Sequence, residues 1–169
     1  MQTNPFAAAF PASTPPIVWQ WKRFADLAPA ELYAILSARA DVFVVEQTCA
    51  FNDLDGLDEY AWHLIGWVEC DGARSLAAYL RLIEPGRKYA EPSIGRVLTT
   101  AAFRYTGLGR AAMLEGMARA ASLYPGQPIR IGAQQRLQSF YEDMGFHIVS
   151  DPYPEDNIVH VEMLRPADM

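Results

Sequence analysis

The sequence predicts a single α/β domain of mixed α+β type, in which helices flank a mostly antiparallel mixed sheet of about six to seven strands. Its 169 residues are enough for one domain with its own core. Two strand patterns joined by Asp71-Gly72, a dipeptide typical of hairpin turns, indicate an antiparallel pair early in the chain. A strand–helix–strand pattern follows between residues 93 and 133. A hairpin combined with such a crossover unit favours a mixed sheet.

The individual elements are predicted from hydrophobic periodicity and from residues that begin or end helices. Residues 1–16 are rich in Pro, Ala and Ser and predict a flexible tail, which leaves residues 17–169 as the domain. Alternating apolar and polar residues predict a first strand at residues 17–23, and Pro29 opens a helical stretch that extends to about residue 47. The other predicted elements are strands at 62–69, 75–83, 93–100, 129–133, 146–150 and 158–164, and helices at 107–124 and 135–144.

Composition and charge exclude several classes of protein. No apolar run is long enough for a membrane helix, and the N-terminus has no basic residue before its apolar patch, so neither a membrane partner nor a signal peptide is predicted. Two cysteines, Cys49 and Cys70, are too few for a disulfide framework, and we expect reduced thiols in a cytoplasmic protein. The net charge of −6 argues against a nucleic-acid partner. His63, His147 and His160 show no metal-ligand spacing, so no metal is expected.

Charged residues are segregated along the chain. Residues 41–71 contain eight acids and neither Lys nor Arg, whereas residues 93–136 contain six arginines and one acid. A local basic stretch in an acidic protein suits a compact anionic ligand, and leaves the acidic segment to face something neutral or cationic. Chance scatter of surface charges is the alternative. The Asp-rich stretch 53–58 does not match the spacing of a calcium-binding loop, and we expect a solvated acidic loop.

The clearest functional signal is the glycine-rich junction between the strand at 93–100 and the helix that follows. Glycines allow close backbone approach to an oxyanion, and the N–H groups of the first helical turn point towards it. The helix dipole and two arginines add positive charge. The junction therefore predicts an anion-binding cradle, with a glycine-rich helix cap and solvated arginines as the alternative. Its residues are Arg104, Tyr105, Thr106, Gly107, Leu108, Gly109 and Arg110.

The same junction also spells the G-x-G-x-x-A pattern of dinucleotide-binding sites. That pattern requires its first glycine directly after a strand, and an acidic residue at the end of the next strand. Here the strand ends near residue 100, several residues before Gly107, and the strand at 129–134 carries no acid. Both requirements fail, so a dinucleotide site is excluded.

Two motifs in order resemble the GNAT superfamily of acyl-CoA N-acyltransferases. The pattern Arg104-x-x-Gly107-x-Gly109 is similar to the pyrophosphate motif of that family. Tyr141, four residues before a Gly-Phe pair, is similar to its second landmark. The stretches FVVEQ, HLIGW, IGRV and YPEDNIVHVEM resemble the ElaA-type branch, so the likeness covers about residues 18–166.

This resemblance implies the architecture of the site and the co-substrate. The sheet would be twisted and would splay open at its centre, with acetyl-CoA or another acyl-CoA in the gap. The backbone of Val97, Leu98 and Thr99 would contact pantetheine. Catalysis would be direct: an amine attacks the thioester, an acid protonates the leaving thiolate, and a base accepts the proton of the amine, without a metal.

The resemblance also suggests roles for individual side chains. Tyr141 would be the acid, although its position on an apolar stripe also fits a core tyrosine. Glu46 would be the base, would orient a water, or would only end a helix. His63 and His160 are candidate acceptor-site residues, with hydrogen-bonded core histidines as the alternative. Arg96 lies in a strand predicted to be buried, so we expect it to pair with a carboxylate and to organise the site.

Two functions from different classes remain open on the sequence alone. One is an enzyme that transfers a short acyl group from acyl-CoA to a small amine or a protein amino group. The other is a GNAT-like domain that binds acyl-CoA as a sensor or scaffold without turnover. Because the acidic segment 41–71 would face the acceptor, we expect a cationic acceptor. The chain is expected to act as a monomer or homodimer.

Overall fold

The structure, a computed structural model, describes residues 16–70 and 72–167, so the predicted tail lies outside it except for Pro16. The strands are β1 (Ile17–Arg23), β2 (Ala61–Cys70), β3 (Ala73–Ile83), β4 (Ser93–Thr99), β5 (Ile129–Gln134), β6 (His147–Ile148), β7 (Tyr153–Glu155) and β8 (Ile158–Arg165). The α-helices are α1 (Pro29–Arg39), α2 (Leu108–Leu123) and α3 (Gln138–Glu142). No helix in this part of the chain is long and apolar enough to cross a membrane.

All eight strands form one sheet in the order β1-β2-β3-β4-β5-β8-β6, and β7 pairs with β8. Among the strands that the structure describes, only β4 and β5 pair in parallel, which confirms the predicted mixed and mostly antiparallel sheet. The strand missing from the prediction is β7, whose three residues are too short to show a period of two. The strand predicted at 146–150 is reduced to the two residues of β6.

The sheet opens between β4 and β5. These strands pair only at Ser93 and Arg130, and β5 turns instead to β8, with which it pairs over its whole length. On its other side β4 stays paired with β3, although the register shifts between Tyr79 and Arg81. Arg96 lies in β4 opposite this irregularity, with a φ of 52°. Beyond Ser93, the β5-facing edge of β4 therefore has no strand partner among residues 16–70 and 72–167, as the central splay requires.

Helices cover both faces of the sheet. Helix α2 packs on β3 and β4, and Gly116 permits close approach because a Cβ there would lie 2.8 Å from Leu80 Cδ2. Helix α1 covers the opposite face. It is followed by a π-helical segment, Ala40–Val45, rather than by the continuous α-helix predicted to about residue 47. The N–H of Glu46 accordingly donates to the carbonyl of Asp41, five residues earlier, at 2.9 Å.

Candidate active site

A cavity of about 550 Å³ occupies the gap between β4 and β5. Its walls come from these two strands, the π-helical segment, α3 and the β7–β8 hairpin. The fold therefore brings together residues that are up to 118 positions apart in the chain, as the positions of Val42 and His160 show. The predicted site residues that line the cavity are Glu46, Val97, Leu98, Thr99, Arg104, Tyr141 and His160.

Strand β4 presents backbone to this cavity. Leu98 and Thr99 pair with Tyr79 and Ala78 of β3, so the paired edge of β4 faces away from the gap. Leu98 buries its side chain, while Val97 and Thr99 stay partly exposed. Because buried or half-buried N–H and C=O groups need partners, the open edge can bind an extended ligand that lies along the strand.

The predicted cradle lies where β4 leads into α2. Gly107 is the residue before the helix and has a φ of 83°, a conformation that favours glycine. Gly109 needs no unusual φ, and a Cβ there would meet only Thr99 Cγ2, at 3.9 Å. The two glycines thus leave the first turn of α2, with its unpaired N–H groups, open towards β4. This geometry suits an oxyanion.

The other residues of the cradle have different environments. Leu108 anchors α2 in the core, and the hydroxyl of Thr106 donates to the carbonyl of Phe103 at 2.6 Å. Tyr105 is fully exposed, and Arg110 donates to the carbonyl of Asp143 at 3.4 Å. Of the seven predicted cradle residues, only Arg104 lines the cavity itself.

Arg104 and Glu46 form an ion pair across the cavity wall. The Arg104 Nη2 donates to Glu46 Oε2 at 2.5 Å, and its Nε donates to the carbonyl of Thr99 at 3.3 Å. Glu46 follows the π-helical segment directly, and that segment also brings Val42 and Phe43 to the cavity. The carboxylate that was predicted as a base therefore contacts the arginine that was predicted to bind an anion.

Tyr141 lines the cavity from α3. Only 8% of the residue is exposed, and its ring packs edge-to-face on Phe140 and Phe146. Within the described residues its hydroxyl has no hydrogen-bond partner, and burial raises its pKa to about 12. The ring therefore belongs to the core, as the interpretation of Tyr141 as a core tyrosine predicted. Its hydroxyl remains protonated and can donate a hydrogen bond, as the interpretation as an acid requires.

The two candidate histidines differ in position. His160 lies on β8, lines the cavity, and its Nδ1 is 2.9 Å from the carbonyl of Ile158. His63 is fully buried outside the cavity, with Nδ1 2.8 Å from the Tyr79 hydroxyl and Nε2 3.1 Å from the carbonyl of Asp58. Burial lowers its pKa, which favours the neutral ring. We therefore omit His63 from the acceptor site.

The expectation of a solvated acidic loop at 53–58 is wrong. Its carboxylates pair with arginines of α1, β3 and β4. Arg39 of α1 contacts Asp53 at 2.7 Å and Asp58 at 2.6 Å. Arg81 of β3 also contacts Asp58, at 2.7 Å, and forms a second ion pair with Asp55. Burial would raise the pKa of Asp55, but hydrogen bonds and charge from Arg81 lower it to about 2. The loop is thus part of a buried ion-pair network.

Arg96 joins this network to the cavity. Its Nε donates to Asp53 Oδ1 at 2.5 Å and its Nη2 donates to the carbonyl of Asp53 at 3.0 Å, which confirms the expected carboxylate partner. Arg96 also lines the cavity, in the irregular part of β4. The network therefore holds the loop against β4 at the point where the sheet opens.

The β7–β8 hairpin supplies cavity residues that were not predicted. Glu155 and Asp156 line the cavity, and the carbonyl of Asp156 accepts a hydrogen bond from the thiol of Cys49 at 3.0 Å. Asp156 and Asn157 have φ values of 49° and 65°, as a tight two-residue hairpin turn requires. The Asp-Asn pair was the available sequence signal for this turn.

An open mixed sheet, with a cavity at the splay and a glycine-capped helix at its edge, is the architecture of acyl-CoA N-acyltransferases. The chain resembles the crystal structure of an acyl-CoA N-acyltransferase from Pseudomonas aeruginosa with a TM-score of 0.82 and 41% identity, covering 89% of this chain and 99% of the other. For the crystal structure of Escherichia coli ElaA the TM-score is 0.81, with 35% identity and coverage of 89% and 99%.

The sequence comparisons agree with the structural ones. The family model of the acetyltransferase (GNAT) domain matches residues 70–165. A UPF0039 protein of Synechocystis is 41% identical over 88% of this chain and 94% of its own length. ElaA of Escherichia coli is 36% identical over 88% of this chain and 96% of its own length. The chain belongs to the GNAT family of acetyltransferases, and its resemblance to the ElaA-type branch is confirmed.

Proposed function

We propose that this protein is an enzyme that transfers an acetyl or other short acyl group from acyl-CoA to an amine. The observation that carries the proposal is the position of Tyr141, a buried and protonated phenol on the wall of the cavity that runs along β4. Arg104 and the first turn of α2 lie at one end of the same strand. A phosphate-binding end and a proton donor suit the two ends of an acyl-CoA.

The residues present fit the proposed co-substrate. Arg104 and the N–H groups at the start of α2 would bind the pyrophosphate, and Arg110 would add charge at the rim. The backbone of residues 97–99 would bind pantetheine along the open edge of β4. The cytoplasm, where acyl-CoA is available, is the proposed place of action.

In the proposed reaction an amine nitrogen attacks the thioester carbonyl carbon. The C–N bond forms and the C–S bond breaks, while a neutral amine loses one proton and sulfur gains one. An acceptor that arrives as an ammonium ion first releases a further proton to solvent. The Tyr141 hydroxyl donates to the thiolate as its charge develops. A thiol has a pKa of about 8.5, below that of Tyr141, so Tyr141 mainly hydrogen-bonds the thiolate and the proton that sulfur finally gains comes from solvent. Glu46, directly or through a water, accepts the proton of the amine.

Glu46→Gln distinguishes its possible roles. The substitution is expected to strengthen CoA binding by up to about fivefold, because it releases Arg104 from an exposed ion pair. If Glu46 is also the base, turnover falls by about 10²-fold or more. Calorimetry with CoA and a turnover assay measure the two effects separately.

Two further variants complete this comparison. Arg104→Ala should weaken CoA binding by about 1.5–3 kcal/mol. Glu59→Gln, at an exposed acid that does not line the cavity, should change neither CoA affinity nor turnover. Normal turnover in Glu46→Gln would leave Glu46 only as the ion-pair partner of Arg104.

We propose that the acceptor presents an ammonium group to the site, on a basis that differs from the sequence argument for a cationic acceptor. The carboxylates of the loop at 53–58 are occupied by arginines and do not supply the expected attraction. Glu155 and Asp156 instead line the cavity, and neither forms a salt bridge among the described residues. Their negative charge favours an amine that arrives as an ammonium ion.

Release of CoA thiol during incubation with acetyl-CoA and a panel of primary amines tests the proposed function. We expect amine-dependent release, with a kcat/KM that falls as salt rises because ions screen Glu155 and Asp156. Hydrolysis without an amine serves as the control. CoA binding without release for any amine would support the sensor or scaffold function instead, and a salt-independent kcat/KM would contradict attraction of an ammonium group by Glu155 and Asp156.

A further inference from the structure

Three polar side-chain tips converge on one spot of the cavity wall. Gly132 of β5 lines the cavity, and a Cβ at this position would lie 3.3 Å from the Tyr153 hydroxyl oxygen, 3.4 Å from that of Tyr89 and 4.0 Å from Lys88 Nζ. Tyr153 also stacks on His160, another cavity residue, with ring centroids 6.1 Å apart. Because Gly132 has no side chain, these three groups lie against the backbone of a residue that lines the cavity.

Lys88 brings a positive charge to this spot. The chain has only two lysines, and the other, Lys22, forms an ion pair with Glu31 at 2.7 Å. Within the described residues Lys88 forms no salt bridge, and its Nζ lies 5.3 Å from the centroid of the Tyr89 ring. Although the residue as a whole is exposed, desolvation of its ammonium group lowers its pKa. An ammonium that has lost part of its hydration shell binds an anion more strongly than a fully hydrated one.

The two tyrosines complete a pair of donors. The hydroxyls of Tyr89 and Tyr153 lie on the same side of Gly132, 3.3–3.4 Å from the position of a Cβ there. A hydroxyl group can donate one hydrogen bond, so each of the two can serve as a donor at this position. Lys88 and one of these hydroxyls therefore offer two donors beside Gly132, which matches the two oxygens of one carboxylate.

We propose that Lys88, Tyr89 and Tyr153 form an anion subsite that binds a carboxylate of the acceptor, so that the acceptor is an amino acid or another amine with a carboxylate. Glu155 lies near Lys88 and opposes a dianion, which disfavours a phosphate. Glu155 and Asp156 attract the ammonium group of the same zwitterion. This inference rests on the proposed acyl transfer and narrows its substrate class.

Matched acceptors test the subsite. Thiol release from acetyl-CoA is measured with glycine, β-alanine, γ-aminobutyrate and ε-aminohexanoate, and with the amide of each. In the wild type, kcat/KM for at least one acid is expected to exceed that for its amide by about tenfold or more, because the carboxylate gains hydrogen bonds to a charged group. The chain-length series also reports the spacing between the amine and the carboxylate.

Substitutions test which side chains cause the preference for acids over amides. Lys88→Gln should reduce the acid-to-amide ratio by about tenfold, Tyr153→Phe should reduce it by less, and Lys88→Arg should retain most of it. Lys22→Gln removes the only other lysine and should keep the wild-type ratio. Equal use of acids and amides by the wild type, or a ratio unchanged in Lys88→Gln, overturns the subsite but leaves acyl transfer standing. Absence of turnover with every amine overturns both proposals.

Discussion

Tyr141→Phe is expected to lower kcat by about 10²–10⁴-fold and to leave CoA affinity nearly unchanged. Phenylalanine keeps the ring between Phe140 and Phe146, so the packing of α3 is preserved. Only the hydroxyl that would donate to the leaving thiolate is lost. Steady-state thiol release and calorimetry with CoA measure the two quantities, with an acceptor that the wild type uses.

The pH dependence of the rate gives a second test of Tyr141. Burial raises its pKa to about 12, so the donor proton is present at neutral pH and is lost only as pH rises towards 12. The wild-type rate should therefore show no decline from this group below about pH 10. Tyr33→Phe, at a residue that is 78% exposed, is the matched loss of a tyrosine hydroxyl and should keep the wild-type rate. Full activity of Tyr141→Phe would reduce Tyr141 to a packing residue.

Gly109→Val is expected to abolish CoA binding, with a loss of affinity of about 10²-fold or more, while the protein stays folded. A Cβ at Gly109 would make only an ordinary contact with Thr99, and the glycine does not need a positive φ. The branched side chain would instead fill the space between α2 and β4, where an oxyanion needs close backbone approach. Several hydrogen bonds to the pyrophosphate would be lost together. Calorimetry with CoA measures the change.

A control variant separates a loss of CoA binding at the cradle from a loss of stability of α2. Ala118→Val places the same β-branched residue at an exposed position of α2 and should bind CoA normally. Thermal unfolding of both variants checks that the fold is retained. A folded Gly109→Val protein with wild-type affinity would contradict the assignment of the cradle.

Local patterns predicted much of the fold and part of the candidate site. The alternation in Ile17–Arg23, the antiparallel pairing of β2 with β3 and the limits of α2 were each predicted from residues close together in the chain. The cradle could be predicted for the same reason, since Gly107 and Gly109 act through their own backbone. Tyr141 was found through a motif, which predicted a catalytic role that the structure makes possible without testing it.

Contacts between distant segments could not be predicted in this way. Arg39 and Asp58 are 19 residues apart, and Arg104 and Glu46 are 58 apart, so no periodicity relates them. The acidic segment 41–71 contains no basic residue of its own, and the arginines that neutralise its loop at 53–58 come from α1, β3 and β4. The π-helical segment could not be predicted either, because its residues are as apolar as those expected in an α-helix.

The sequence by itself determined the order of the helices and of every strand except β7, the glycine-capped start of α2 and membership of a family that uses acyl-CoA, because each depends on local residue types. The tertiary structure decided which charges are free. It neutralises the loop at 53–58 with arginines and leaves Glu155, Asp156 and Lys88 without ion-pair partners among the described residues. Attraction between charges depends on distance in space and on burial, and neither can be read from positions in the chain.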